Sequence, residues 1–286
     1  MSAGRLGICG LMALMILIVS GCDGGLRMFS SGKPDYVSLS RQLMGQGFKD
    51  TLAKEHAKAL SSSAMDDSVQ LQVRRLGDVR EPLTESDLKQ VKQAIYDKIG
   101  YTFKLELSAY NLGDVSHTQG RVTAIDGTRL LIVDEARTIG ADKSPDAAWY
   151  DFALPDASLR LAEGDEIALE EIGIGYRVRA WSEGLMLTSY PGQTGGLALD
   201  VLDRVPGEPD LTGEVAEVRL ASSLQEESYL LIGATKVVLS EFTQYIVSGE
   251  PATAGEVRVG DEVEIRTTGL PSGVPGEVYA SHVKTI

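Results

Sequence analysis

Apolar residues recur along the chain in three rhythms. From Leu6 to Ser20 they form a nearly unbroken, uncharged run rich in Leu, Ile and Met. That run is shorter than the roughly 20 residues of a spanning helix, and it reads as the core of a secretory leader. From Ser38 to about Leu60 the apolar positions Leu39, Leu43, Phe48, Leu52 and Leu60 predict a helix. Gly45 and Gly47 weaken its early part by about 1 kcal/mol each relative to Ala. Val69, Leu71 and Val73 alternate with polar residues and predict a half-buried strand. Thr84 and Asp87 stand at capping-box spacing, with Leu83 and Leu88 placed as a hydrophobic staple. Leu88, Val91, Ile95 and Ile99 then form one helical stripe, and Gly100 closes it. Tyr101, Phe103, Leu105, Leu107 and Ala109 alternate as a second strand.

From Gly113 onward the pattern changes to short strands and glycine turns. An internal repeat appears here. Gly120-Arg-Val-Thr-Ala-Ile matches Gly213-Glu-Val-Ala-Glu-Val, Leu130-Leu-Ile matches Leu230-Leu-Ile, and Gly164-Asp-Glu-Ile matches Gly260-Asp-Glu-Val. Five or six short strands in each repeat suit a small closed barrel of the OB type. The expected fold class is therefore α+β: a small N-terminal α/β domain, helix-strand-helix-strand, followed by two small antiparallel OB-like β-barrels. The expected boundaries are a leader over 1–21, a tether over 22–34, the α/β domain over 35–112, and barrels over 113–206 and 207–286.

Composition sharpens this picture at the N-terminus. Arg5 precedes the apolar run, and Val19-Ser20-Gly21-Cys22 follows it, resembling a bacterial lipobox. A small residue before the cut and a thiol to carry a diacylglyceryl thioether are what that processing requires. Cys9 leaves with the leader and Cys22 is lipidated, so the mature chain has neither a free thiol nor an internal disulfide. The expectation is a palmitate-bearing lipoprotein with a signal peptide, held on the extracytoplasmic face of the cell membrane. Asp23 resembles an inner-membrane retention signal of Gram-negative lipoproteins. Gly24 to Pro34 reads as a flexible spacer.

Charge is uneven. The whole chain carries a formal net charge of −14. Residues 22–110 hold 13 basic and 12 acidic side chains, whereas residues 111–286 hold 13 basic and 29 acidic ones. Such an excess repels a phosphate backbone, which argues against a nucleic-acid partner. It favours an envelope protein with a basic surface.

The segment Val178-Arg-Ala-Trp-Ser-Glu-Gly-Leu-Met-Leu-Thr-Ser-Tyr-Pro-Gly-Gln, after a Gly-Asp-Glu turn, resembles the YobA-like domain of unknown function. The resemblance covers about residues 115–205. It implies an OB-like barrel on a lipoprotein of spore-forming Bacillota, and it implies no activity. The second repeat departs from it, with Pro271-Ser-Gly-Val-Pro-Gly where Ser-Tyr-Pro is expected.

Motifs that carry chemistry are scarce. There is no Gly-x-Ser-x-Gly elbow. Gly173-Ile-Gly175 lacks the third glycine of a dinucleotide fingerprint, and Gly25–Lys33 has the wrong spacing for a phosphate loop. His56, His117 and His282 are isolated in sequence, and the acidic pairs lack calcium-loop spacing. The reading expects no catalytic residue, cofactor or metal, and a non-catalytic binding or scaffolding role in the cell envelope. A second reading is a carbohydrate-binding accessory of envelope or spore-coat assembly, with Trp181 and Tyr190 stacking on sugar rings. An envelope hydrolase is a third.

Overall fold

The computed structural model of the protein describes residues 34–286, apart from residues 114, 115, 142 and 224. The leader, Cys22 and residues 22–33 of the tether lie outside the described residues. The first unit runs α1 (Tyr36–Leu43), α2 (Gln46–Lys54), β1 (Ala57–Ala64), β2 (Val69–Arg75), α3 (Glu85–Ile99) and β3 (Leu105–Ala109). Asp35 caps α1 by accepting the Ser38 N–H. The single helix expected over 38–60 is corrected. Met44 caps the end of one helix, and Gly45, in an extended conformation, starts the next. Beyond Lys54 the Ala- and Ser-rich run has no apolar stripe to bury as a helix. His56 turns the chain at φ 52°, and residues 57–64 satisfy their backbone by pairing with β2. The helix predicted from Thr84 stands. The Thr84 and Asp87 side chains each accept the other's backbone N–H, and Gly100 closes α3 at φ 87°. Those bonds from Thr84 hold the Asp87 carboxyl below its usual range. One face of the three-stranded sheet, order β1-β2-β3, buries Val69, Leu71, Val73 and Leu105 against Leu39, Leu52, Val91 and Ile95 of the helices.

The second unit contains β4 (Thr118–Asp126), β5 (Arg129–Ile139), β6 (Ser144–Asp151), β7 (Ser158–Leu161), β8 (Arg177–Ser182) and β9 (Gly192–Asp203). The third contains β10 (Leu211–Arg219), β11 (Ser228–Ile232), β12 (Thr235–Val247), β13 (Glu250–Ala252), β14 (Glu262–Thr267) and β15 (Glu277–Thr285). The expected fold class is corrected by this architecture. The chain is mostly β, with 47% strand against 15% helix, in three sheets that stack in succession along it. The first unit is helix-helix-strand-strand-helix-strand, not helix-strand-helix-strand. The two later units are six-stranded mixed sheets rather than small antiparallel OB-like barrels. β6 and β7 both run parallel to β9, and β12 runs parallel to β15. The OB-type closed β-barrel expected for each repeat is corrected with it.

The repeat itself has a structural basis, with one change. Both six-stranded sheets use the same pairings, β4–β5, β5–β6, β6–β9, β9–β8 and β8–β4 in one and their counterparts in the other. Both break register at the same place, Thr123 in β4 and Ala216 in β10. Gly120 faces Val178 across its sheet as Gly213 faces Val263 across the other. The counterpart of Gly260 is therefore Gly175, not Gly164. Gly175 and Gly260 each donate their N–H to the carbonyl of Val122 or Val215. Gly164 sits in a separate turn after β7, where its N–H bonds the Leu161 carbonyl.

Each six-stranded sheet buries its own core, around Tyr150 and Leu199 in the second unit and around Val237 and Ile265 in the third. A smaller cluster joins them. Ala124, Leu131, Val133 and Ala147 on the outer face of the second sheet are covered by Phe242 and Leu270 of the third unit. Arg266 clasps the connection by donating to the carbonyls of Pro206, Gly207 and Glu208.

Candidate functional site

A groove of about 570 Å³ opens on the second unit, between β5–β6 and the connection from β8 to β9. Its floor comes from the alternation of β5 and β6. Tyr150 points inward, where burial pushes its hydroxyl up to about 12 and Thr118 bonds it at 2.7 Å. Trp149 therefore points outward. Its ring meets Phe242 edge-on at 5.5 Å and carries the Arg129 guanidinium 5.2 Å from its centre. Arg129 is ion-paired to Asp126. Asp151 beside it accepts the Thr128 hydroxyl at 2.7 Å and the Ala153 N–H at 3.1 Å.

The opposite lip is the connection from β8 to β9. Leu187 donates its N–H to Gln193, and the Thr194 hydroxyl bonds the Leu185 carbonyl. Met186 turns under to the core, where its sulfur lies 2.8 Å from the position a Cβ on Gly192 would take. Alternation then turns Leu185 and Leu187 outward, 93% and 64% exposed. The same connection carries Tyr190, whose hydroxyl bonds the Pro145 carbonyl at 3.2 Å and which precedes a cis proline, Pro191.

The base of the lip is held by the first unit. Glu183 Oε1 accepts Lys58 Nζ at 2.6 Å, and Arg74 Nε and Nη2 at 2.7 and 2.5 Å. Arg74, 1% exposed, also grips both oxygens of Asp156, at 2.6 and 3.2 Å. Burial alone lowers an arginine's affinity for its proton, but the bonds and charges of Asp156 and Glu183 outweigh that and raise Arg74 above its ordinary value. Burial would raise Asp156, yet Arg74 holds it below its ordinary value. Next to Glu183, the Ser182 carbonyl takes the Tyr110 hydroxyl at 2.5 Å. The Ser182 N–H donates to His117 Nδ1 at 2.9 Å, so that nitrogen carries no proton. Burial pushes His117 down and Tyr110 up.

Trp181 does not stand where a ligand could stack on it. It is 4% exposed and donates its ring N–H to the Gly113 carbonyl at 2.9 Å. The guanidinium groups of Arg80 and Arg179 lie 5.7 and 5.4 Å from its ring centre, and both bind Asp200. The structure thus separates the two residues expected to stack on sugar: Tyr190 is on the surface and Trp181 is packed into the junction between the first two units. Cys22 lies outside the described residues. Sequence reasoning missed the Arg74–Glu183–Asp156 cluster. One signal was available, since Glu183 is the only charged residue from Ala180 to Leu199.

The arrangement offers an apolar lip, an aromatic floor and neutral hydrogen-bonding groups at Gln193 and Thr194. Its charged groups are engaged: Arg129 with Asp126, Asp151 with Thr128 and the Ala153 N–H, and Glu183 with Lys58 and Arg74. Among the described residues no three His, Cys, Asp or Glu side chains are grouped to hold a metal, and no helix is long and apolar enough to cross a membrane. No protein-family model, curated protein or solved structure matches the chain.

Proposed function

We propose that the protein is a lipid-anchored, extracytoplasmic binding module of the cell envelope, without a catalytic role, that holds a protein partner with a basic surface in the groove between Trp149 and the Leu185–Leu187 lip. The observation that carries this reading is the lip itself. Two leucines stand in solvent above a tryptophan on a connection whose base is clamped, and isolated exposed leucines need no such clamp. Apolar anchors of this kind give affinity, while the acidity of residues 111–286 selects basic partners and speeds their encounter. The lipobox at Val19–Cys22 supplies the address, and the likeness of Ser189-Tyr190-Pro191 to the YobA-like domain belongs to the same proposal.

Chain geometry supports the orientation. Asp35 and Tyr36, at the start of α1, lie near Tyr101 and Lys104, at the Val69 end of the first sheet, where Lys104 meets Asp67. Lys58 and Arg74, which reach the second unit, lie at the other end of that sheet. A seven-residue strand spans about 20 Å at 3.3 Å per residue, so the start of α1 lies at the end remote from the groove.

Two measurements test this. Cys22→Ala should move the protein out of the membrane fraction; unchanged partitioning removes the anchor from the proposal. Titration with solubilised envelope proteins should show binding that weakens steeply as salt rises and is lost in Leu185→Asp/Leu187→Asp. Salt-insensitive quenching of Trp149 by neutral glycans would put the carbohydrate reading in its place.

A further inference from the structure

Glu183 belongs to two structures at once. It lines the groove, and it is the point where two cations of the first unit converge, Lys58 and the buried Arg74. The residue before it, Ser182, is bonded on its carbonyl by Tyr110 and on its N–H by His117. The residue after it, Gly184, has φ 125°, a conformation open to glycine and costly to other residues. The lip therefore begins at a pivot directly beyond a clamped residue. The lip's own bonds, Leu187 to Gln193 and Thr194 to Leu185, close it as a hairpin, its far end is held to β6 by the Trp149–Gln193 pairing and the Tyr190 bond to Pro145, and its near end meets the first unit through Glu183.

We infer that Glu183 is the positioning residue of the groove: its ion pairs with Lys58 and Arg74 set the Leu185–Leu187 lip relative to Trp149 and couple the docking of the first unit to the shape of the site. The inference rests on the reading of this groove as the binding site. It has a reciprocal consequence. A partner seated under the lip tightens the docking of the first unit, and loosening that docking weakens the partner by the same factor. The anchored unit and the binding site would then be mechanically linked rather than merely joined.

Hydrogen exchange read by mass spectrometry on the full chain, with no partner present, tests the coupling. In Glu183→Gln the amides of residues 184–194 should exchange at least tenfold faster. Those of β1 and β2 near Lys58 and Arg74 should also speed, while β10–β15 stay at the wild-type rate. Lys58→Gln, at the outer edge of the cluster, should give the same pattern at smaller amplitude in a chain that folds normally. Glu183→Asp, which keeps the charge, should recover part of the protection. Wild-type exchange over 184–194 in both Gln variants would overturn the inference, and so would a uniform rise across all three sheets. Because no partner is present, a groove that binds nothing would sink the functional reading and leave this result standing.

Discussion

Arg74 is the residue on which the junction between the first two units turns. A guanidinium with 1% exposure survives in that position only because Asp156 and Glu183 meet it from the second unit. Arg74→Ala removes the cation, leaving Asp156 without its ion pair and Glu183 with Lys58 alone. Breaking a buried pair from one side costs about 3–5 kcal/mol, and urea denaturation should show a loss of that size, with the first unit's transition moving earlier than the third's. A coincident shift of all three units would mean that the junction and the cores unfold together. Trp181 behaves alike. Trp181→Ala should lower stability by about 3–5 kcal/mol, the range for emptying a large aromatic site, because the side chain is packed between Arg80 and Arg179 rather than held out for a ligand.

At the scale of elements, the second unit's attachment through β8 is sensitive to acid. His117 receives the Ser182 N–H, and protonation would set two donors face to face. Its folded pKa lies below the ordinary 6.5 because of burial. The unfolded chain therefore takes up the proton first, so the stabilisation from His117 is complete above about pH 6.5 and is lost as pH falls through the folded value. His282, also lowered by burial and by Arg266 and Lys284, adds in the same direction. Asp156 follows at lower pH: held below its ordinary 3.8, it contributes above that value and loses its contribution as pH falls through the folded one. Stability measured in urea should therefore decline between pH 7 and 5. The decline should be smaller in His117→Asn, whose amide oxygen can accept the same bond without titrating. An identical decline in that variant would assign the effect elsewhere.

The elements also show what was legible beforehand. α3 could be read because its signals are local: Thr84, Asp87 and Gly100 act within their own turns. The repeat could be read at Gly120 and Gly213 because close backbone approach imposes the residue. A Cβ on Gly120 would fall 2.1 Å from the Val133 carbonyl oxygen, and one on Gly213 would fall 2.9 Å from the Ile232 side chain. The third match failed because Gly-Asp-Glu reports turn chemistry, whereas equivalence is fixed by pairing partners far away in sequence. The helix expected over 38–60 failed for the same reason, since pairing with β2 decides the fate of Ala57–Ala64. The groove could not be read at all. It joins Trp149, Arg129 and Glu183, and whether an aromatic on a strand faces inward or outward depends on a register that the sequence leaves open. Trp181 is expected from the sequence to stack on a ligand, yet Trp149 is the tryptophan that lines the groove.

For the whole molecule, the covered cluster between the second and third units decides how separable they are. Removing residues 207–286 takes Phe242 and Leu270 off Leu131, Val133 and Trp149 and unfastens Arg266 from the connection. The remaining chain keeps the second core intact, so it should fold. It should also melt earlier, show red-shifted tryptophan emission and self-associate through the uncovered face. A truncated chain with wild-type emission would mean that Trp149 is shielded without the third unit.

The shared pairing plan also shows how the outer faces of the two six-stranded sheets differ. Position by position, Ala124 of the second sheet corresponds to Glu217 of the third, and Trp149, opposite Leu131, corresponds to Lys236, opposite Leu231. The surface that receives the next unit in one repeat is thus charged in the other, where Lys236 is tied to Glu227 and Glu277. In arrays of stacked repeats a polar terminal face acts as a stopper against endless addition. Glu217 and Lys236 give the third sheet a polar face of that kind, and the contact such a face disfavours is head-to-tail, the kind that grows into open filaments rather than closed rings. Glu217→Ala with Lys236→Trp would build the same receiving surface on the third unit. Sedimentation should then show concentration-dependent oligomers without a fixed size limit, while either substitution alone should leave the protein as it was.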